Sequence, residues 1–143
     1  MSARLVKAIY DHLAADTGVG GFCNTSTGIG TRLYHVSGPE NLNSFPACVY
    51  LMSPHPVAYE FRTVGAFEEW SIVFSIWVNA ETSSDSAAMA HDDALWTRLH
   101  GQSLSATGYD RLQVIRTTPG SCAVDEDGIR VDSEWLARAT RSS

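Results

Sequence analysis

Leu5, Ile9 and Leu13 recur every fourth position, with Val6 and Tyr10 beside them. One apolar stripe on a helical period predicts an amphipathic helix over residues 2–16, with Ser2 as its N-cap. Gly18-Val19-Gly20-Gly21-Phe22 stops that helix, and the Gly/Ser/Thr-rich stretch through Gly30 reads as a flexible loop. Arg32 to Val36 is expected to form a short strand. Gly38-Pro39-Glu40-Asn41 is turn chemistry, and Phe45 to Met52 then reads as a largely buried strand led by a proline. Ser53-Pro54-His55-Pro56 ends it. Val57 to Arg62 alternates as a strand does, and Thr63 to Phe67 is expected at a hairpin tip.

The strongest strand signal runs from Glu69 to Ala80. Trp70, Ile72, Phe74, Ile76 and Val78 fall on one face, and Ser71, Val73, Ser75, Trp77 and Asn79 on the other. The first face is core and the second is mixed. A second helix follows, from about Thr82 to His100: Thr82, Ser83 and Ser84 are available as caps, Asp85 sits in its first turn, and Arg98 and His100 lie near its end. Ala88, Leu95 and Leu99, with Met89 and Trp96 adjacent, supply its stripe, and Gly101 its stop. His91 and Asp92 are assigned to its solvated face.

Leu112, Val114 and Ile115 mark another strand, and Asp125-Glu126-Asp127-Gly128 is a turn. From Ile129 onward the odd positions are apolar or small except Ser133, and the even ones polar except Leu136. This period of two predicts a long C-terminal strand, although Trp135 to Arg141 would tolerate a helix. The order α, β, β, β, β, α, β, β describes a single α+β domain over 1–143, a mostly antiparallel β-sheet with two α-helices packed on one face. The other face needs an explanation, because Val73, Trp77, Tyr59, Phe61 and Phe67 are too apolar for a fully wetted surface.

Composition narrows the function. A chain of 143 residues can bury a substantial core without metal or disulfide support. The formal net charge is −6, and one lysine, Lys7, accompanies nine scattered arginines, so the cation cluster a nucleic-acid binder needs is missing. An acidic surface is still compatible with DNA passing nearby, since like charges repel. Cys23, Cys48 and Cys122 are odd in number, widely spaced and without a C-x-x-C pair, as expected of free thiols. The N-terminus turns amphipathic at once, with no signal-peptide pattern, and the apolar run around Trp70 to Val78 is too short to span a bilayer as a helix. These features read as a soluble, cytoplasm-made protein with no membrane partner.

No catalytic, cofactor-binding or metal site stands out. The glycines at 18, 20, 21, 28 and 30 fit neither phosphate-loop spacing, and no lysine follows them. Asp125 to Glu134 resembles the back half of a calcium loop, but Ala123 holds the place where the first acid belongs, so a hairpin turn is the better reading. His91-Asp92-Asp93 lacks metal-ligand spacing, and no G-x-S-x-G elbow singles out a serine. A small hydrolase or metal-dependent enzyme would require a polar pocket that the sequence does not locate.

Arg32-Leu33-Tyr34, Phe45-Pro46-Ala47-Cys48-Val49-Tyr50, Ile72 to Ala80 and Leu95 to Gly101, in that order and spacing, resemble the tail-terminator (tail-completion, neck) proteins of tailed bacteriophages. The Gly/Thr loop before Arg32 and the acidic turn at 125–128 depart from that pattern. The resemblance implies a non-enzymatic virion protein of the tail or neck, forming a hexameric homo-oligomeric ring. Such a ring caps the head-proximal end of the tail tube, stops its polymerisation, and joins it to head-completion, stopper or connector proteins. It also implies no cofactor and DNA that crosses the channel without specific binding. On this reading Tyr59, Phe61, Arg62, Phe67 and Trp77 lie at subunit contacts. Glu68, Asp125, Glu126 and Asp127 face the channel or its rim and keep DNA mobile. A connector, a stopper or a tube protein uses the same vocabulary of elements and is the alternative.

Overall fold

The computed structural model describes residues 2–35, 44–54, 67–125 and 128–142. The chain order is helix α1 (Ser2–Ala14), strands β1 (Leu33–His35), β2 (Ala47–Pro54) and β3 (Phe67–Val78), helix α2 (Asp85–Leu99), and strands β4 (Gln102–Leu104), β5 (Tyr109–Asp125) and β6 (Gly128–Arg141). The strands form one six-stranded sheet in the order β1-β2-β3-β6-β5-β4. It is mixed: β1 pairs parallel with β2, and the remaining pairings are antiparallel. The expected strand over Val57 to Arg62, and most of the expected hairpin tip, lie outside the described residues.

The period-2 pattern sorts β3 and β6 as read. Ile72, Phe74, Ile76 and Val78 are buried on one face, joined across the ladder by Val131, Trp135, Ala137 and Ala139. Leu5, Ile9 and Leu13 of α1 and Leu95 and Leu99 of α2 enter the same core as Phe74 and Trp135, so both helices cover this face. Tyr50, Phe74 and Trp135 form an aromatic row across three strands, with centroids 5.3 and 5.8 Å apart. Each such pair contributes about 0.5–1.5 kcal/mol beyond its buried area. Ser133, the polar exception among the odd positions of β6, is buried and accepts a hydrogen bond from Trp135 Nε1 at 2.9 Å.

Helix α2 begins after Ser84, whose hydroxyl accepts from the Ala87 N–H. It ends where expected, since Gly101 takes a positive φ of 72°. Residues 135–141 are strand throughout, paired on both sides as far as Thr140, which settles the ambiguity against a helix.

The stretch expected as a flexible loop is tightly bonded and helps close the core. Asn24 Oδ1 accepts from the Ser26 and Thr27 N–H groups and from the Thr27 hydroxyl, while its Nδ2 donates to the Thr17 and Gly18 carbonyls. Asp16 receives the Phe22 N–H on its carboxylate and the Cys23 N–H on its carbonyl. Phe22 and Ile29 are thereby held fully buried. Arg32 leaves this loop and donates through Nε to the Pro46 carbonyl at 2.6 Å, and its own carbonyl accepts from Cys48 N–H. The Arg32-Leu33-Tyr34 and Phe45 to Tyr50 segments are thus adjacent in space.

Two features of the sheet lie beyond the sequence reading. Strand β4 was not expected, and β5 runs far past Leu112–Ile115 in both directions. Pro119 and Gly120 lie inside this strand, where register shifts between Arg116, Thr118 and Ser121 accommodate them.

Candidate functional site

Alternation along the strands leaves the second sheet face without a helix among the described residues. Two rows cross it in register: Val49, Ser75, Asp132 and Ser121, then Leu51, Val73, Glu134 and Thr118. A groove of about 550 Å³ follows these rows, walled by Val49, Val73, Trp77 and Pro119. Leu51 is 50 % exposed and Val73 38 %, so adjacent apolar groups on β2 and β3 meet solvent.

The polar groups of the groove satisfy one another. Ser75 Oγ donates to Asp132 Oδ1 at 2.7 Å and Arg130 Nε to Asp132 Oδ2 at 2.8 Å. Thr118 Oγ1 donates to Glu134 Oε2 at 2.8 Å, and beyond the groove, further along the same face, Arg138 Nε donates to Glu69 Oε2 at 3.0 Å. Each of these hydroxyls is paired with a carboxylate, and Asp132 is shared between Ser75 and Arg130. Trp77 lies on this face as its position in β3 predicts, but it is only 3 % exposed, with the Arg130 guanidinium 5.3 Å from its ring centre.

Glu68 occupies the opposite face. It accepts from Trp70 Nε1 at 3.1 Å, from the Tyr109 hydroxyl at 3.0 Å and from Arg141 Nε. Burial opposes ionisation of Glu68, and these donors outweigh it, holding the carboxyl below its ordinary value. Its charge is committed to tying the end of β6 to β3 and β5. Phe67 opens β3 opposite Thr140, and Asp125 closes β5 opposite Gly128. The proposed positions Tyr59, Phe61, Arg62, Glu126 and Asp127 lie outside the described residues.

On the helical side, Asp92 corrects the expectation of a solvated His91-Asp92 face. Asp92 is buried and bonds Arg116 Nη2 at 2.7 Å, while His91 is half-buried. Arg116 is held 5.1 Å from the Trp96 ring centre and 5.0 Å from that of Trp135, and its N–H donates to His100 Nδ1. The reach of β5 past Ile115 was the missing signal, because only a longer strand brings Arg116 beneath α2. Burial pushes the Cys23 thiol up to about 11 and Cys48 well above its ordinary value, so both are held as unreactive thiols. Among the described residues no group of three or more His, Cys, Asp or Glu is placed to hold a metal ion, and no helix is long and apolar enough to cross a membrane.

No protein-family model and no curated protein matches the chain. Solved structures do. One is a chain of the "Virion of native gene transfer agent (GTA) particle", 20 % identical, covering 97 % of this chain and 96 % of that one with a TM-score of 0.73. Another is 10 % identical and covers 100 % of this chain and 97 % of its own at a TM-score of 0.61. At these identities the likeness is one of fold, and fold alone does not carry function. From end to end, the chain has the fold of a chain found in a gene transfer agent virion.

Proposed function

We propose that this chain is a structural virion protein of a tailed-phage-like particle and, within it, the tail terminator. The observation that carries the reading is the match along nearly the whole of both chains to a chain of a gene transfer agent virion. It is supported by the order of motifs in the sequence. The proposed assembly is a hexameric ring that ends tube polymerisation and docks head-completion, stopper or connector proteins, with DNA crossing its channel.

Subunit contacts are assigned to Tyr59, Phe61, Arg62, Phe67 and Trp77. Trp77 contributes as a rigid, already covered wall of the open face rather than as an exposed anchor. Asp125, Glu126 and Asp127 are assigned to the channel or rim; Glu68, neutralised by Arg141, is not available for that role as a bare charge.

The test is absolute mass by light scattering across a concentration series, with negative-stain imaging of the largest species. Closed single rings are the expected result. Open tubes would favour a tube protein, and a strict monomer at every concentration would reject self-assembly of the isolated chain. Phe61→Ala together with Phe67→Ala is expected to shift rings to monomers without unfolding; intact rings would remove these residues from the contact.

A further inference from the structure

The two ends of the sheet are matched to each other. β1 runs with β2, and the pairings from β2 through β3 and β6 to β5 each reverse direction, so β1 and β5 point opposite ways. Strand β4 covers only Leu112 to Val114 of the outer edge of β5, and His100 takes the Arg116 N–H just beyond. Past the irregularities around Pro119, Ser121 to Asp125 returns to unbroken register with β6. Among the described residues no backbone group bonds the outer side of that stretch.

Isolated edges are normally guarded by charge, proline or a bulge. Ser121-Cys122-Ala123-Val124 itself carries no charge or proline, these guards lying beside it at Pro119, at the register shift that ends on Ser121 and at Asp125, and Val124 is 72 % exposed. At the opposite end, β1 is a short uncharged strand, Leu33-Tyr34-His35, with Tyr34 38 % exposed. Its length and polarity fit the open edge.

We propose that β1 of one copy pairs antiparallel with Ser121–Val124 of the next, continuing the sheet from subunit to subunit. Tyr34 stands beside Val49, and Ala123 beside Arg130, so both belong to the helix-free face. Placing Tyr34 opposite Ala123 of the next copy keeps that face continuous, and sets His35 opposite Cys122 and Leu33 opposite Val124. The contact joins unlike edges, the heterologous kind that closes into a ring. It rests on the ring reading above and names the surface that makes the ring.

Cys122 is a built-in reporter, because it is exposed while Cys23 and Cys48 are buried. Maleimide labelling of wild-type protein is expected to slow by about ten-fold or more in the assembled fraction relative to the dilute monomer. In His35→Cys, diamide, which takes up the two electrons and two protons released, is expected to give a ladder of disulfide-linked subunits that His35→Cys with Cys122→Ser does not. Assembled protein whose Cys122 labels as fast as in the monomer would overturn the edge pairing and leave the ring reading standing. A monomer at every concentration would overturn both.

Discussion

Asp92 of α2 reaches across the core to Arg116 of β5 and meets it at 2.7 Å, with the two side chains 2 % and 10 % exposed. The pair sits where β5 departs from regular register, and the rings of Trp96 and Trp135 flank the guanidinium. Helix, irregular strand and aromatic core are therefore fastened at one point.

Removing one member leaves the other as an uncompensated buried charge. Asp92→Ala is expected to lose about 3–5 kcal/mol of stability. The double variant Asp92→Leu with Arg116→Met, which removes both charges, is expected to lose less than Asp92→Ala alone. Urea denaturation of the three proteins measures this. Equal losses in the single and double variants would mean that packing, not charge, is what the pair supplies.

Gly120 gives a second test of the same junction. A Cβ there would overlap the Asp92 carboxylate and press on Val131 Cγ1 at 2.9 Å. Gly120→Ala is expected to cost about 1–3 kcal/mol by overpacking, although the substitution places a good chain-stiffening residue in a strand. Combined with Asp92→Ala, which empties the space, the cost of Gly120→Ala should fall. A double-mutant cycle reads the coupling, and additive losses would separate the two positions.

What the sequence revealed and what it hid follow one physical division. Trp70 to Val78 and Ile129 to Ala139 announce themselves because each strand has one dry face, and a period of two survives in the residues. The helix stripes of Leu5 and Leu95 are legible for the same reason. The Gly18–Gly30 loop was misread because its order comes from one side chain, Asn24, bonding backbone groups that composition does not show. β5 was cut short because Pro119-Gly120 is turn chemistry wherever a neighbouring strand does not absorb it. Asp92 looked solvated because its partner lies 24 residues away, on the part of β5 that was missed. The helix-free face was anticipated from Val73 and Trp77, but its cross-strand polar ties were not, since register cannot be read from one strand.

Asn24 concentrates the order of the loop in a single residue. Asn24→Ala removes acceptors for two backbone N–H groups and donors to two carbonyls. The loss is expected to be about 1–3 kcal/mol, because some of these groups regain water at the exposed surface. Amide exchange should quicken at Ile29, whose N–H bonds the Phe22 carbonyl, while the β3–β6 ladder keeps its protection. Unchanged exchange at Ile29 would show that Phe22 and Ile29 hold the loop through packing alone.

Glu68 and Asp92 should push acid stability in opposite directions. Glu68 is held below its ordinary pKa, its burial being outweighed by donors from Arg141, Trp70 and Tyr109. Its folded form binds the proton less readily than the unfolded chain. It therefore contributes stability that is present above the unfolded pKa and lost as pH falls through the folded one. Burial raises Asp92, with Arg116 opposing, so Asp92 contributes stability that is full below its unfolded pKa and lost as pH rises through its folded value. Denaturation midpoints from pH 3 to pH 7 should thus show the deficit of Glu68→Gln shrinking on acidification. Stability of wild type relative to Asp92→Asn should instead improve on acidification, as Asp92 takes up its proton. Parallel pH profiles for wild type and both variants would place the titrating groups that govern acid stability elsewhere in the chain.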